Sequence, residues 1–236
     1  MIREKMRGNL LRGMGHDIRT PLTGIVGATD VLLEQDGTLT PRQRRELLQS
    51  INEEAKWLMR VSENLLSITR IDGENAGVKK TPELVEEIIE GAVSKFLRHY
   101  QGIAVQVHLP EEPMLVPMDP LLMQQVLFNL MENAARHGKT VKQIDIFLYQ
   151  EEDKAILEVA DDGVGIAHSR LEHLFDGTLH PEEGREDARR DMGIGLSVCR
   201  TIVVAHGGSI TASNQKNGGA LFRIALPMEK EEIHEN

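Results

Sequence analysis

Two long runs with helical spacing open this chain, and they constrain its fold more than any other feature. Over 2–34, apolar residues recur at Met6, Leu10, Met14, Ile18, Leu22, Ile25, Val26, Leu32 and Leu33, close to a three-four spacing. Asp36-Gly37 is a turn signal, and Thr40-Pro41 starts the next helix. The same spacing returns over 41–71 at Leu47, Leu48, Ile51, Ala55, Leu58, Val61, Leu65, Leu66 and Ile68. The two runs predict a helical hairpin. One hairpin cannot bury both of its apolar stripes well, whereas two copies can, as a four-helix bundle. A homodimer is therefore expected.

The pattern then changes. Gly73 and Gly77 mark a linker over 73–81. Beyond it, a helix over 82–100 leads to alternating, strand-like segments at 103–109, 144–149 and 155–160, with a helix over 119–137 between them. A helix over 194–206 and strands at 209–213 and 221–226 complete the order. This mixture predicts an α+β fold, with helices layered on one face of a mixed sheet. The expected organisation is a hairpin domain over 1–72, an α/β sandwich over 82–228 and a charged tail over 229–236.

Composition narrows the function. The net charge is −10, which argues against a broad basic face for nucleic acid, because such binding displaces counterions with Lys and Arg. Aromatic residues make up only 3% of the chain, too few for base-stacking platforms. The single cysteine, Cys199, excludes a disulfide framework within one chain and fits a reducing compartment. The sequence has no apolar run long enough to cross a bilayer and no signal-peptide pattern, so a cytoplasmic location is expected.

Several residues carry chemistry. His16 lies midway between Met14 and Ile18. Successive helix residues turn by roughly 100°, so its side chain is expected to point away from the apolar stripe. A neutral imidazole is a good nucleophile near neutral pH, and the adjacent Asp17 can orient the ring or take its proton. Thr20 shares the face of His16. Taken alone, His16 is better described as a surface histidine on a solvated helix face; Pro21, a costly residue inside a helix, tilts the balance a little towards function but could equally mark a plain bend. In the 119–137 segment, Asn129, Asn133 and His137 step by four and share one face. An amide oxygen suits Mg²⁺, which uses few protein ligands when it also binds phosphates, and Arg136 or His137 could meet phosphate charge. Two asparagines alone are better read as an ordinary polar helix face. Asp161-Asp162-Gly163-Val164-Gly165 follows a strand and allows close backbone approach to a ligand. By itself it is also a common turn. Gly193-Ile194-Gly195 opens a helix whose first N–H groups can attract phosphate, or it is simply a flexible loop. His206-Gly207-Gly208 reads as a helix C-terminal turn, and Asn217-Gly218-Gly219-Ala220 as a turn between strands.

In order and combination, these segments resemble the transmitter core of sensor histidine kinases over roughly 5–228. His16-Asp17-Ile18-Arg19-Thr20-Pro21-Leu22 is similar to the phosphoacceptor box, Asn129 to His137 to the N box, and Asp161 to Gly165 to the first glycine box. Leu174-Phe175-Asp176 resembles the start of the F box, Gly193 to Leu196 the second glycine box, and Gly218 to Pro227 the final strand motif. The phosphoacceptor box and the closing strand look most similar to the potassium-sensor (Kdp-type) kinases. The resemblance implies a dimerisation and phosphotransfer hairpin followed by a Bergerat-type ATP-binding domain. It implies that His16 receives the γ-phosphoryl group with help from Asp17, that Asn133 holds Mg²⁺, and that Asp161 holds adenine. Thr20 would position water when a partner's aspartyl phosphate is hydrolysed. The remaining nucleotide contacts would come from Asn129, Arg136, His137, Gly163, Gly165, Phe175, Gly193 and Gly195. The implied partner is a response regulator, and the implied context is attachment to a membrane sensor in a longer protein. Two departures stand out. Phe175 is followed by Asp176-Gly177-Thr178-Leu179 rather than by a second aromatic and a basic residue, and Asp191 stands where a further Gly is common. The segment between Phe175 and Gly193 is acidic, with Glu182, Glu183, Glu186 and Asp187. The gyrase and chaperone ATPases resemble the same site but place a Glu where Asn129 sits. A dimeric nucleotide-binding scaffold without phosphotransfer is the other alternative.

Overall fold

The computed structural model describes residues 2–35, 37–71, 78–138, 140–176 and 194–228; the side chains of 2–17, 68, 70, 71 and 194 lie outside that description. The chain divides into two compact units, Met1–Leu66 and Ser67–Asn236.

The first unit is built on α1 (Ile2–Glu34) and α2 (Pro41–Ile71). The start of α2 is a capping box. The Thr40 hydroxyl accepts a hydrogen bond from the Gln43 amide (3.3 Å), and Gln43 Oε1 accepts from the Thr40 amide (3.0 Å). Pro41 occupies the first helical position, where an N–H would have no partner. Pro21 lies inside α1 and is buried. It offers no N–H to the preceding turn, yet the helix continues through it. The apolar stripes are only partly covered within one copy. Val61 is 5% exposed, but Leu22 is 46%, Val26 55% and Leu66 60% exposed.

The second unit is a mixed sheet layered with helices. Its elements are β1 (Thr81–Leu84), α3 (Val85–His99), β2 (Ala104–His108), β3 (Leu115–Met118), α4 (Pro120–His137), β4 (Gln143–Glu151), β5 (Lys154–Asp161), α5 (His168–Leu171), α6 (Ile194–Ala205), β6 (Ser209–Asn214) and β7 (Ala220–Pro227). The main sheet runs β2-β4-β5-β7-β6, parallel only between β2 and β4. Along β4, buried Ile144, Ile146 and Leu148 alternate with part-exposed Asp145, Phe147 and Tyr149, the period-two signature of a sheet covered on one face. The central strand β5 is buried along nearly its whole length. Helix α3 packs on α4 and α4 on α6, while α4 also touches β5 and α6 touches β6. Phe96, Leu127, Met131, Ile144, Ile156 and Phe222 fill the space between the layers.

Three short elements, β1, β3 and α5, are absent from the sequence reading. The helix expected from 82 begins at Val85, because 81–84 form β1, which pairs antiparallel with β3. Both strands are four residues long and set Pro82 opposite Pro117. Proline in a short segment masks the strand pattern, since it cannot donate to a ladder. The single-turn helix α5 also escaped the periodicity. The strands of the main sheet and the helices α4 and α6 lie within a few residues of their expected bounds.

Candidate nucleotide site

Helix α4 carries the asparagine face. Asp119 caps its start, its carboxylate accepting from the amides of Leu121 and Leu122 at 3.0 Å each, with Pro120 next in the chain. One face then presents Asn129, Asn133 and His137. Asn129 is buried, at 7% exposure, while Asn133 and His137 are half-buried and Arg136 is exposed. Asn129 uses both ends of its amide. Its Oδ1 accepts from Gln125 Nε2 at 2.9 Å, and its Nδ2 donates across to the Gly195 carbonyl at 3.5 Å. Helix α4 therefore reaches the first turn of α6, where a side chain added at Gly195 would meet no atom of the described residues within 4 Å. The opening glycine has open space beside it.

The C-terminal end of α4 meets the loop after β5. Gly138, the C-cap of α4, accepts a hydrogen bond from the Val164 amide (3.3 Å). A Cβ on Gly163 would stand 2.7 Å from the Gly138 backbone and 2.8 Å from Asp161 Oδ1, so only glycine fits there. Asp161 itself is 5% exposed. Its Oδ1 accepts from the amides of Gly163 (2.9 Å) and Ala220 (3.3 Å). Among the described residues, its Oδ2 has no donor. Burial pushes the Asp161 carboxyl above the usual carboxylate range, the two amides pull it back, and Asp162 adds a further upward push. The next residue, Asp162, has a different task. Its Oδ1 accepts from the amides of Lys142 (2.8 Å) and Gln143 (3.1 Å) and pins the loop to the start of β4.

Asn129, Asp161, Gly163 and Gly195 are thus linked through one helix, whose middle meets the start of α6 and whose C-terminal cap meets the loop after β5. Asn133, Arg136 and His137 lie between those two contacts on α4. Gly165 adopts a left-handed φ of +76°, with Asn214 beside it. Phe175 is 9% exposed, and its ring stands edge-on to Phe222 of β7 with centroids 6.4 Å apart. Gly193 and the acidic segment with Glu182, Glu183, Glu186 and Asp187 lie outside the described residues. His16, Asp17 and Thr20 lie on α1, Thr20 exposed, with the side chains of the first two outside the description.

Sequence reading passed over several residues that hold this site. Asn214 and Gln215 at the end of β6 hydrogen-bond the Asp161–Ile166 loop. Gly219, at φ +89°, lies against the Asp161 carbonyl, where any Cβ would collide with it. Gly138 backs Gly163. The double glycine at 218–219 was the available signal, but a turn between strands accounts for it equally well.

The comparisons with known proteins fit this geometry. Residues 6–74 match the His Kinase A (phospho-acceptor) domain, and residues 118–230 match the histidine kinase-, DNA gyrase B- and HSP90-like ATPase family. The chain belongs to the sensor histidine kinases. Among its relatives, Sensor protein KdpD of Clostridium acetobutylicum is 39% identical over 96% of this chain and 25% of that protein. Sensor protein KdpD of Escherichia coli K12 is 34% identical over 99% of this chain and 26% of that protein. The chain therefore spans about a quarter of the length of these curated relatives. A solved complex of histidine kinase ThkA with response regulator protein TrrA superposes with a TM-score of 0.71 at 25% identity, covering 98% of this chain and 64% of that one. The Acinetobacter baumannii histidine kinase AdeS shares the fold, with a TM-score of 0.66 at 22% identity over 91% of this chain and 98% of that one. No helix among the described residues is long and apolar enough to cross a membrane.

Proposed function

We propose that this chain is the catalytic core of a Kdp-type sensor histidine kinase, transferring the γ-phosphoryl group of ATP to His16. The observation that carries the ATP half is the buried Asp161 carboxylate. One oxygen is fixed by two backbone amides and the other has no donor among the described residues, in a wall made of glycines. An exocyclic amino group supplies the missing donor. Gly163, Gly165, Gly193 and Gly195 would let the backbone approach the nucleotide, and Arg136 and His137 would meet its phosphates. Phe175, held edge-on to Phe222, would contribute to the nucleotide site. Asn133 would hold Mg²⁺, a neutral hard oxygen for an ion whose role when bound is to neutralise phosphate charge.

In the transfer, an imidazole nitrogen of His16 attacks the γ-phosphorus. The bond from that phosphorus to the bridging oxygen breaks, ADP leaves, and Asp17 takes the ring proton. The phosphoimidazole then passes its group to an aspartate of a response regulator, and Thr20 would position the water that later hydrolyses that aspartyl phosphate to aspartate and inorganic phosphate. The hairpin over 1–72 would dimerise, covering Leu22, Val26 and Leu66, and the unit over 82–228 would bind ATP. Attachment to a membrane sensor in a longer protein fits the quarter-length match, and the core itself would lie in the cytoplasm.

The ATPase alternative is disfavoured by Asn129. Its Nδ2 donates to the Gly195 carbonyl, whereas the glutamate base that the gyrase and chaperone ATPases place there is a carboxylate, which has no proton to donate to that carbonyl. The test is incubation with γ-labelled ATP and Mg²⁺, comparing the wild type with His16→Gln. An acid-labile, base-stable label that the variant lacks is the expected result. Absence of label from a wild type that still binds ATP would leave the scaffold reading in its place.

A further inference from the structure

The short connection from β6 to β7 touches the Asp161–Ile166 loop at more points than a plain turn requires. Asn214 pairs with the Ile166 backbone through both ends of its side-chain amide. Oδ1 accepts from the Ile166 N–H at 2.7 Å, and Nδ2 donates to the Ile166 carbonyl at 2.7 Å. Gln215 Nε2 donates to the Asp161 carbonyl at 2.8 Å. Ala220 donates its amide to Asp161 Oδ1, and Gly219 lies against the Asp161 backbone. The turn keeps its own shape through Gln215, whose amide donates to the Gly219 carbonyl at 3.0 Å and whose carbonyl accepts from Gly218 at 3.2 Å.

We infer that Asn214 and Gln215 are positioning residues for base selectivity, and that they set which nucleobase the site accepts by fixing the rotation of the Asp161 carboxylate. The inference rests on the reading of Asp161 as the residue that meets the base. Its chain of cause is short. Asn214 closes the loop at Ile166, and Gln215 fixes it at Asp161. Between these clamps the Gly163 amide is held on Oδ1, and with Ala220 it fills that oxygen. Only Oδ2 is then presented, and it can only accept. Adenine offers an amino donor at the matching position, whereas guanine offers a carbonyl, which a carboxylate repels. Without the clamps the Gly163–Ile166 loop relaxes, the carboxylate rotates, and the preference for a donor weakens. Asn214 is exposed and Gln215 lies on the same surface turn, so their replacement leaves the buried core intact.

The test is calorimetric titration of the full chain with ATP and with GTP, each with Mg²⁺, for the wild type, Asn214→Ala, Asn214→Asp and Gln215→Ala. For Asn214→Ala, ATP affinity is expected to fall on the order of tenfold, the worth of one misplaced charge-assisted hydrogen bond. GTP affinity should hold or rise, so the ratio of the two collapses. Asn214→Asp keeps the acceptor for the Ile166 N–H but sets a carboxylate against the Ile166 carbonyl, and it should not restore the ratio. Gln215→Ala should lower the ratio in the same direction. An unchanged ATP-to-GTP ratio in Asn214→Ala and Gln215→Ala would overturn the inference, as would equal losses for both nucleotides, which mark a structural role alone. A wild type that binds neither nucleotide would instead remove the nucleotide reading itself, and this inference with it.

Discussion

Replacing His206 by Phe tests whether a single buried imidazole holds the start of α4 against the end of α6. The ring is 1% exposed. Its Nε2 accepts from the Asp119 amide at 3.0 Å, and its Nδ1 donates to the Ile202 carbonyl at 2.7 Å. The two roles demand the neutral ring with its proton on Nδ1. Phenylalanine keeps a ring in the space but has neither group. The Ile202 carbonyl still receives the His206 backbone amide at 3.1 Å, so it is not orphaned. The Asp119 amide is. An unsatisfied buried donor costs about 1–3 kcal/mol, and for a unit of this size a loss of about 2 kcal/mol lowers Tm by roughly 4–8 °C.

The same site carries a pH signature. Burial pushes the His206 pKa below its ordinary 6.5; the hydrogen bond to Ile202 opposes this, nearby Lys80 adds to it, and Asp119 opposes it. The unfolded chain therefore takes up this proton first. His206 contributes no pH dependence above both pKa values. As pH falls through 6.5 towards the lower folded value, stability is lost. Urea unfolding of wild type and His206→Phe across this window gives the difference, which cancels the other eight of the nine histidines. The wild type should lose more stability on acidification than the variant. A variant as stable as the wild type, with an identical pH slope, would refute the reasoning.

Other substitutions probe the site directly. Asp161→Asn retains an acceptor for Gly163 and Ala220 but turns an amide donor towards the base. ATP affinity measured by titration calorimetry should fall roughly 10–100-fold with little change in Tm, the value of a hydrogen bond to a charged group. In the wild type, ATP affinity should decline as pH drops through the raised pKa of Asp161, and so at a higher pH than the ordinary 3.8 would give. Gly219→Ala forces a Cβ into the Asp161 carbonyl at φ +89°, and it should lower both stability, by about 1–3 kcal/mol, and ATP binding; wild-type behaviour in chemical unfolding would count against the collision. Cys199 is fully buried between α4 and α6, its Sγ directed at the Val126 carbonyl at 3.8 Å, and burial pushes its thiol up to about 12. Iodoacetamide should therefore leave the native chain unmodified and alkylate it only in denaturant, as read by mass spectrometry.

What the sequence made legible follows the strength of local physics. The long amphipathic periods wrote α1, α2 and α4 plainly, and the alternation of β4 and the apolar runs of β5 and β7 placed the sheet. The helix-start signal at Thr40-Pro41 acts within a few residues, so it too could be read directly. Non-local partners could not. Nothing near Asn214 in sequence says that its amide pairs with Ile166, a contact 48 positions away. Nothing near Gly163 says that α4 ends against it. The ribbon of β1 and β3 was hidden because prolines stand where ladder donors usually do, and its pairing joins segments on either side of α3 and β2. For the candidate site, the residue types were legible, while the clamps that orient them depend on the folded register.

Asn129 shows how that register decides between chemistries that look alike in sequence. A polar side chain at this place on α4 faces two partners at once: the Gln125 amide nitrogen, which donates, and the Gly195 carbonyl, which accepts. An amide answers both. A carboxylate answers Gln125 but sets negative charge against the Gly195 carbonyl, so a site built around a glutamate base would need the first turn of α6 placed differently. The position of that turn is therefore matched to a side chain that cannot deprotonate water. A helix start that opens a glycine towards a ligand, beside an amide that cannot act as a base, suits a site that holds a phosphoryl donor without hydrolysing it. That is the requirement of an enzyme whose acceptor is a histidine rather than water.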